Sequence, residues 1–143
     1  MNFIWNGGRE VKYDEFITHV QSVALLDTRE EAERATRATL ETIKERIVGD
    51  EAKDLASQLP KQLAECLRGR EGENGQPFSL QEFIARVSEK EGVEPTAAAM
   101  HIRSVFTVLQ DAVTPGEFAD FQSNFSADYA ELFPTGSTRE VSA

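Results

Sequence analysis

Histidine, cysteine and paired acids are the residues from which chemistry in this chain would have to be built. There are two histidines, His19 and His101, and a single cysteine, Cys66. Helical zinc and di-iron sites place a second ligand three or four residues from the first. His101 has no such neighbour and His19 has only Glu15, so both read as surface or boundary histidines rather than metal ligands. Cys66 falls on an apolar face and reads as a small buried hydrophobe. A catalytic thiolate would want a histidine or a helix N-terminus beside it, and the sequence places neither there. The acid pairs Glu30–Glu31 and Asp50–Glu51 fall at helix starts, where negative charge suits the helix dipole. No D-x-D-x-D-G loop occurs, and no glycine-rich loop follows a strand, which argues against an EF-hand and a nucleotide fingerprint. The expectation is a chain with no catalytic residues, no metal ligands and no cofactor, and not an enzyme.

Two sets of residues still recur at a fixed spacing. Arg37 matches Arg103, Asp54 matches Asp120, Glu65 matches Glu131, and Glu15 matches Glu82. A repeated acid–base pair suggests internal bridges, Arg37 to Asp54 and Arg103 to Asp120. The second set is an aromatic row, Phe118, Phe121, Phe125, Tyr129 and Phe133. Aromatics at helical spacing are ordinarily core, since native interiors are packed without useful voids. The competing reading makes Phe118, Phe121, Phe125 and Tyr129 the wall of a cavity for a small apolar ligand.

The elements that must hold these residues are written twice. "YDEFITHV" (Tyr13 to Val20) and "LQEFIARV" (Leu80 to Val87) align at an offset of 67, with apolar residues at i, i+3, i+4 and i+7 of an amphipathic helix. Arg29 to Val48 then aligns with Pro95 to Thr114 at an offset of 66. Its inward stripe is Ala32, Thr36, Leu40, Ile43 and Ile47, matched by Ala98, Ile102, Phe106, Leu109 and Val113. Thr28 with Glu31, and Ser79 with Glu82, read as capping boxes. Pro95 suits a first helical position after Glu94. Gly49 and Gly116 read as C-terminal stops of the long helices. Leu55, Leu59, Leu63 and Leu67 match Phe121, Phe125, Tyr129 and Phe133, while Cys66 matches Leu132. Pro60 should split its segment into two short helices, and Ser126 could cap a new one.

Each copy therefore has four helices: medium, long, short, short. The fold class is all-α, with two tandem, pseudo-twofold related four-helix units packed into one compact helical domain. Residues 1–10 are an N-terminal extension, 11–70 the first unit, 71–77 a linker, 78–134 the second unit and 135–143 a loose tail. A unit of this size is marginal alone, so the two should pack together.

Composition limits the partners. Of 143 residues, 40% are hydrophobic, enough for a real core. The net charge of −10, from 15 basic and 25 acidic residues, argues against nucleic acid and against anionic membranes. Residues 76–136 hold 3 basic and 9 acidic side chains, so the second half is the better surface for a basic partner. No apolar run approaches the roughly 20 residues of a membrane span, and the N-terminus lacks the features of a secretory signal. The expected location is the cytoplasm.

"YDEFITHV", "DTREEAERATRATLETI" and "GDEAKDLASQLPKQLAECL" closely resemble a bacterial family of unknown function, DUF2267, over about residues 11–134. "DLASQLP" followed by "LAECL" is the most specific part. The second copy departs from it, because "DFQSNFSADYAELF" lacks the Gln-Leu-Pro step. The resemblance implies an all-helical bacterial protein of tandem related units and supplies no catalytic residues. The leading functional expectation is a non-enzymatic helical protein-interaction module, with a protein partner or self-association. The alternative is a binder or sensor of a small apolar ligand between the units.

Overall fold

The computed structural model describes residues 11–134. The N-terminal extension and the tail expected from the sequence lie outside them. Seven α-helices and one 3-10 helix are found among the described residues, and no strand. Helices α1 (Tyr13–Val23), α2 (Arg29–Arg46), α3 (Gly49–Ala56) and α4 (Lys61–Ala64) come first. They are followed by α5 (Leu80–Glu91), α6 (Pro95–Ala112), α7 (Pro115–Gln122) and the 3-10 helix Ala127–Leu132. The two long helices have 18 residues each, and α3 and α7 have 8 each.

The helix starts follow local chemistry. Thr28 and Glu31 form a complete capping box, each side chain accepting the other's backbone N–H at 3.1 Å. Ser79 accepts the Glu82 N–H at 3.3 Å, but the Glu82 carboxylate turns to Arg86 at 2.8 Å, so that box is half formed. Pro95 and Pro115 occupy first helical positions. Pro60 stands at the N-cap of α4 and divides it from α3.

Packing joins the helices into a bundle. Helix α1 lies on α2, α5 lies on α6, and α2 touches both α5 and α6. A low-hydropathy helix such as α2 can occupy that central place because its inward residues are small. Ala32, Ala35, Thr36, Ala38 and Thr39 are buried beside Leu40 and Ile43. All ten stripe residues expected from the sequence are buried. Helix α3 packs on α7, and the 3-10 helix packs on α6. Full burial of each Phe, Leu or Ile contributes about 1.5–3 kcal/mol.

Two glycines behave differently from expectation. Neither Gly49 nor Gly116 ends a helix: α2 and α6 stop at extended residues, Ile47 and Val113, and the glycines fall in the first turns of α3 and α7. Gly49 is needed for a close approach instead. A Cβ there would stand 1.7 Å from the Arg70 carbonyl oxygen, and the Gly49 N–H donates to the Glu73 carbonyl at 2.8 Å. The 71–77 connection is thus fastened down. Gly72 N–H reaches Asp50 Oδ1 at 2.9 Å and Gln76 N–H reaches the Glu45 carbonyl at 3.1 Å.

Candidate functional site

Polar chemistry gathers in four places. The first is the contact of α3 with α7. Glu51 and Asp54 on α3 meet Glu117 and Asp120 on α7. One carboxyl oxygen each of Glu51 and Glu117 is sealed from solvent. Burial, then the bond to Glu117, then the charges of Glu117, Asp54 and Asp120, push the Glu51 carboxyl up to about 9. A carboxyl raised that far keeps its proton at neutral pH beside Glu117. Burial raises the Glu117 carboxyl too, while the bond from Glu51 works the other way. Two like charges cannot both be ionised at such a contact without strong repulsion. Asp54 and Asp120 stand beside this pair, exposed. Among the described residues no three His, Cys, Asp or Glu side chains group as metal ligands, this quartet included.

The second place is a buried guanidinium. Arg46, at the end of α2, is 8% exposed. Its Nε donates to the Phe78 carbonyl at 2.9 Å and to the Tyr129 hydroxyl at 3.1 Å. Nη1 reaches the Asn124 carbonyl and Nη2 the Ser126 hydroxyl, both at 3.3 Å. The rings of Tyr129, Phe125 and Phe78 surround it, with centroids 5.0, 5.6 and 5.9 Å from Cζ. Such cation–π contacts contribute about 0.5–2 kcal/mol each.

The third is an open groove of ≈ 340 Å³ lined by Glu45, Glu82, Arg86, Glu89 and Lys90. Its charges are cross-linked: Glu45 takes Arg86 and Lys90, each at 3.1 Å. Burial would raise the Glu45 carboxyl, but the Lys90 and Arg86 bonds outweigh it and hold it below its ordinary value. The fourth is His101, whose Nδ1 lies 2.5 Å from Glu91 Oε2. Both His101 and His19 are buried, which corrects the surface or boundary placement expected of them. The partner of His101 comes from α5, ten residues back and across the helix turn, where a search for ligands one turn apart does not look.

The residues singled out in the sequence are distributed as follows. Neither Arg37–Asp54 nor Arg103–Asp120 is an ion pair among the described residues. Arg37 turns to the other side of α2, where Nη1 meets the buried Cys66 sulfur at 3.9 Å, and Asp54 faces the carboxyls of α7. Arg103 is exposed on α6. Burial pushes the Cys66 thiol up, against the pull of Arg37. Phe118, Phe121, Phe125 and Tyr129 do come together, with Phe83, Phe106 and Phe133. They contact ring to ring, with neighbouring centroids such as Phe125–Tyr129 at 4.8 Å and Phe106–Phe133 at 4.9 Å. A ligand would have to displace these rings.

Sequence reasoning gave Glu51 only a helix-dipole role and missed Glu117 and Arg46. The signal for the first two was present, since Glu51 and Glu117 stand at the same offset of 66 as Asp54 and Asp120. Arg46 had no such signal, because its counterpart at that offset is Ala112.

Helices alone, a shared core and polar side chains bonded mainly to one another define an all-helical bundle protein. No helix of the described residues is long and apolar enough to cross a membrane. A family model described as "Uncharacterized conserved protein (DUF2267)" matches residues 13–132, and the chain belongs to that family. A comparison with curated proteins gave no match.

Proposed function

We propose that the protein is a non-enzymatic interaction module of two tandem related units, and that its working surface is the acidic face where α3 meets α7. The tandem reading is supported by the paired helix lengths and by the repeated apolar stripes. The functional reading rests on one observation: where α3 packs on α7, Asp54 and Asp120, from opposite halves of the chain, are both exposed and both act on the Glu51–Glu117 pair. Asp50 adds to this face, and Lys53 is the basic residue of α3. Carboxylates on a fixed helical scaffold attract a lysine- or arginine-rich partner and speed its encounter. Elsewhere the titratable side chains serve the fold: Arg46 holds the 3-10 helix, His101 holds Glu91, and Arg86 and Lys90 hold Glu45.

The test is native mass spectrometry of the protein isolated at its natural level, beside the Asp54→Lys/Asp120→Lys variant. Both positions are exposed, so the variant keeps its core. The expected result is a basic partner at fixed stoichiometry, released by high salt and absent from the variant. A partner held equally by both proteins would sink the proposed surface. A small molecule in place of a protein would sink the interaction reading.

A further inference from the structure

Residues 126–133 are attached unlike the rest of the chain. They run as a 3-10 helix, whose hydrogen bonds have poorer geometry than those of an α-helix. Ser126, Ala127, Asp128, Ala130 and Glu131 face solvent, and Tyr129, Leu132 and Phe133 go inward. Ser126 is the N-cap by position, yet its hydroxyl does not cap the helix; it bonds to the Asp128 carboxylate and accepts from Arg46. Three polar ties join the segment to distant parts of the chain. Arg46 holds Ser126 and Tyr129 from the end of α2. The Tyr129 hydroxyl lies 2.8 Å from the Phe78 carbonyl and 3.0 Å from that of Ser79. Asp128 Oδ2 accepts the Leu80 N–H at 2.8 Å, capping α5 from outside.

The first half closes the corresponding place without any of this. Pro60, Gln62 and Leu63 stand where Ser126, Asp128 and Tyr129 stand, and Ala112 matches Arg46. Helix α4 there is held by buried Leu63 and Leu67. Desolvating a guanidinium is costly, and an apolar closure of similar volume is commonly as stable or more so.

We propose that residues 126–133 form a strap that leaves the bundle and unwinds as one unit while α1, α2, α5 and α6 stay folded. Opening bares the rings of Phe83, Phe106 and Phe125, which Tyr129 and Phe133 now cover. The strap is a partial-opening unit of the kind that hydrogen exchange resolves. The test is native-state exchange of the full chain at rising urea. The amides of Tyr129, Phe133 and Leu80 should open together, with a urea dependence well below that of global unfolding, while those of Leu40 and Phe106 follow global unfolding. Arg46→Met, which keeps bulk but removes the donors, should speed exchange at the first three about tenfold or more, whereas Ile43→Val, in the buried core of α2, should speed exchange at Leu40 and Phe106 and leave those three unchanged. Strap amides that follow the global curve in the wild type would overturn the proposal. So would an Ile43→Val effect of equal size at the strap amides and at Leu40 and Phe106.

Discussion

Residues 11–70 and 78–134 run through a similar succession of helices, closed by a short α-helix in one and a 3-10 helix in the other, but are finished with different chemistry. In the first half Leu25 takes a left-handed φ of 57° after α1; 67 residues on, Gly92 takes φ 76° after α5 at no steric cost. In the first half Gly49 has a backbone carbonyl where its Cβ would be, whereas around Gly116 there is nothing within 4 Å. Leucines fill the first half where rings fill the second, and Arg46 has an alanine for a counterpart. The lesson is that the two halves keep the same buried positions in one shared core and differ in the side chains that fill them and in how each is fastened.

That contrast can be broken most severely at Arg46. Arg46→Ala takes the donor from the Asn124 carbonyl and the Tyr129 hydroxyl, leaves the Phe78 carbonyl only the Tyr129 hydroxyl, and opens a gap between three rings. Unfolding in urea should show a loss of about 3 kcal/mol. A loss under about 1 kcal/mol would mean that the second half closes as the first does, by apolar contact alone. Next come the two glycines, which should respond in opposite directions. Gly49→Ala must move the Arg70–Glu73 backbone and costs about 2 kcal/mol. Gly116→Ala, on an open helical turn, should stabilise by about 0.5–1 kcal/mol. Thermal melts of the two variants side by side decide it, and shifts of the same sign would defeat the comparison.

The smallest change to the packing belongs to Glu51→Gln, which sharpens the comparison instead of breaking it. Glu51 is raised from its ordinary 4.5 to about 9 in the folded chain, so the folded state holds a proton that the unfolded state has released. Stability from this group is full below about 4.5 and is lost as pH rises through about 9. Glutamine keeps a donor toward Glu117 and has no proton to lose. The variant's stability should fall less steeply across that window than the wild type's. Parallel curves of stability against pH would show that the two carboxyls do not share a proton.

Most of the fold was legible because burial and helical period are local properties. The i, i+3, i+4, i+7 pattern of Phe16, Ile17 and Val20 needs no knowledge of a partner, and neither does the Thr28–Glu31 box. Pairings between side chains far apart in the chain were not legible. Repetition of Arg37 and Asp54 suggested a bridge within each half. The structure instead sends Asp54 toward α7 and leaves Arg37 beside Cys66, since an offset says which residues correspond and not which ones meet. The same offset applied to Glu51 would have pointed at Glu117. Only the folded chain could bring Arg46 to Tyr129, 83 residues away.

The fastening of residues 70–76 has a consequence for proteolysis. By composition, "RGREGENGQP" is an invitation to trypsin-like enzymes, with two arginines among glycines. A protease must draw several residues out into an extended strand to cut. Here Arg70 is held by Glu73 at 3.0 Å, and Gly72, Glu73 and Gln76 are each bonded back to the junction of α2 and α3. Release of those bonds has to precede a cut, so the stretch that looks most cleavable on paper is protected by the half of the molecule it leaves behind.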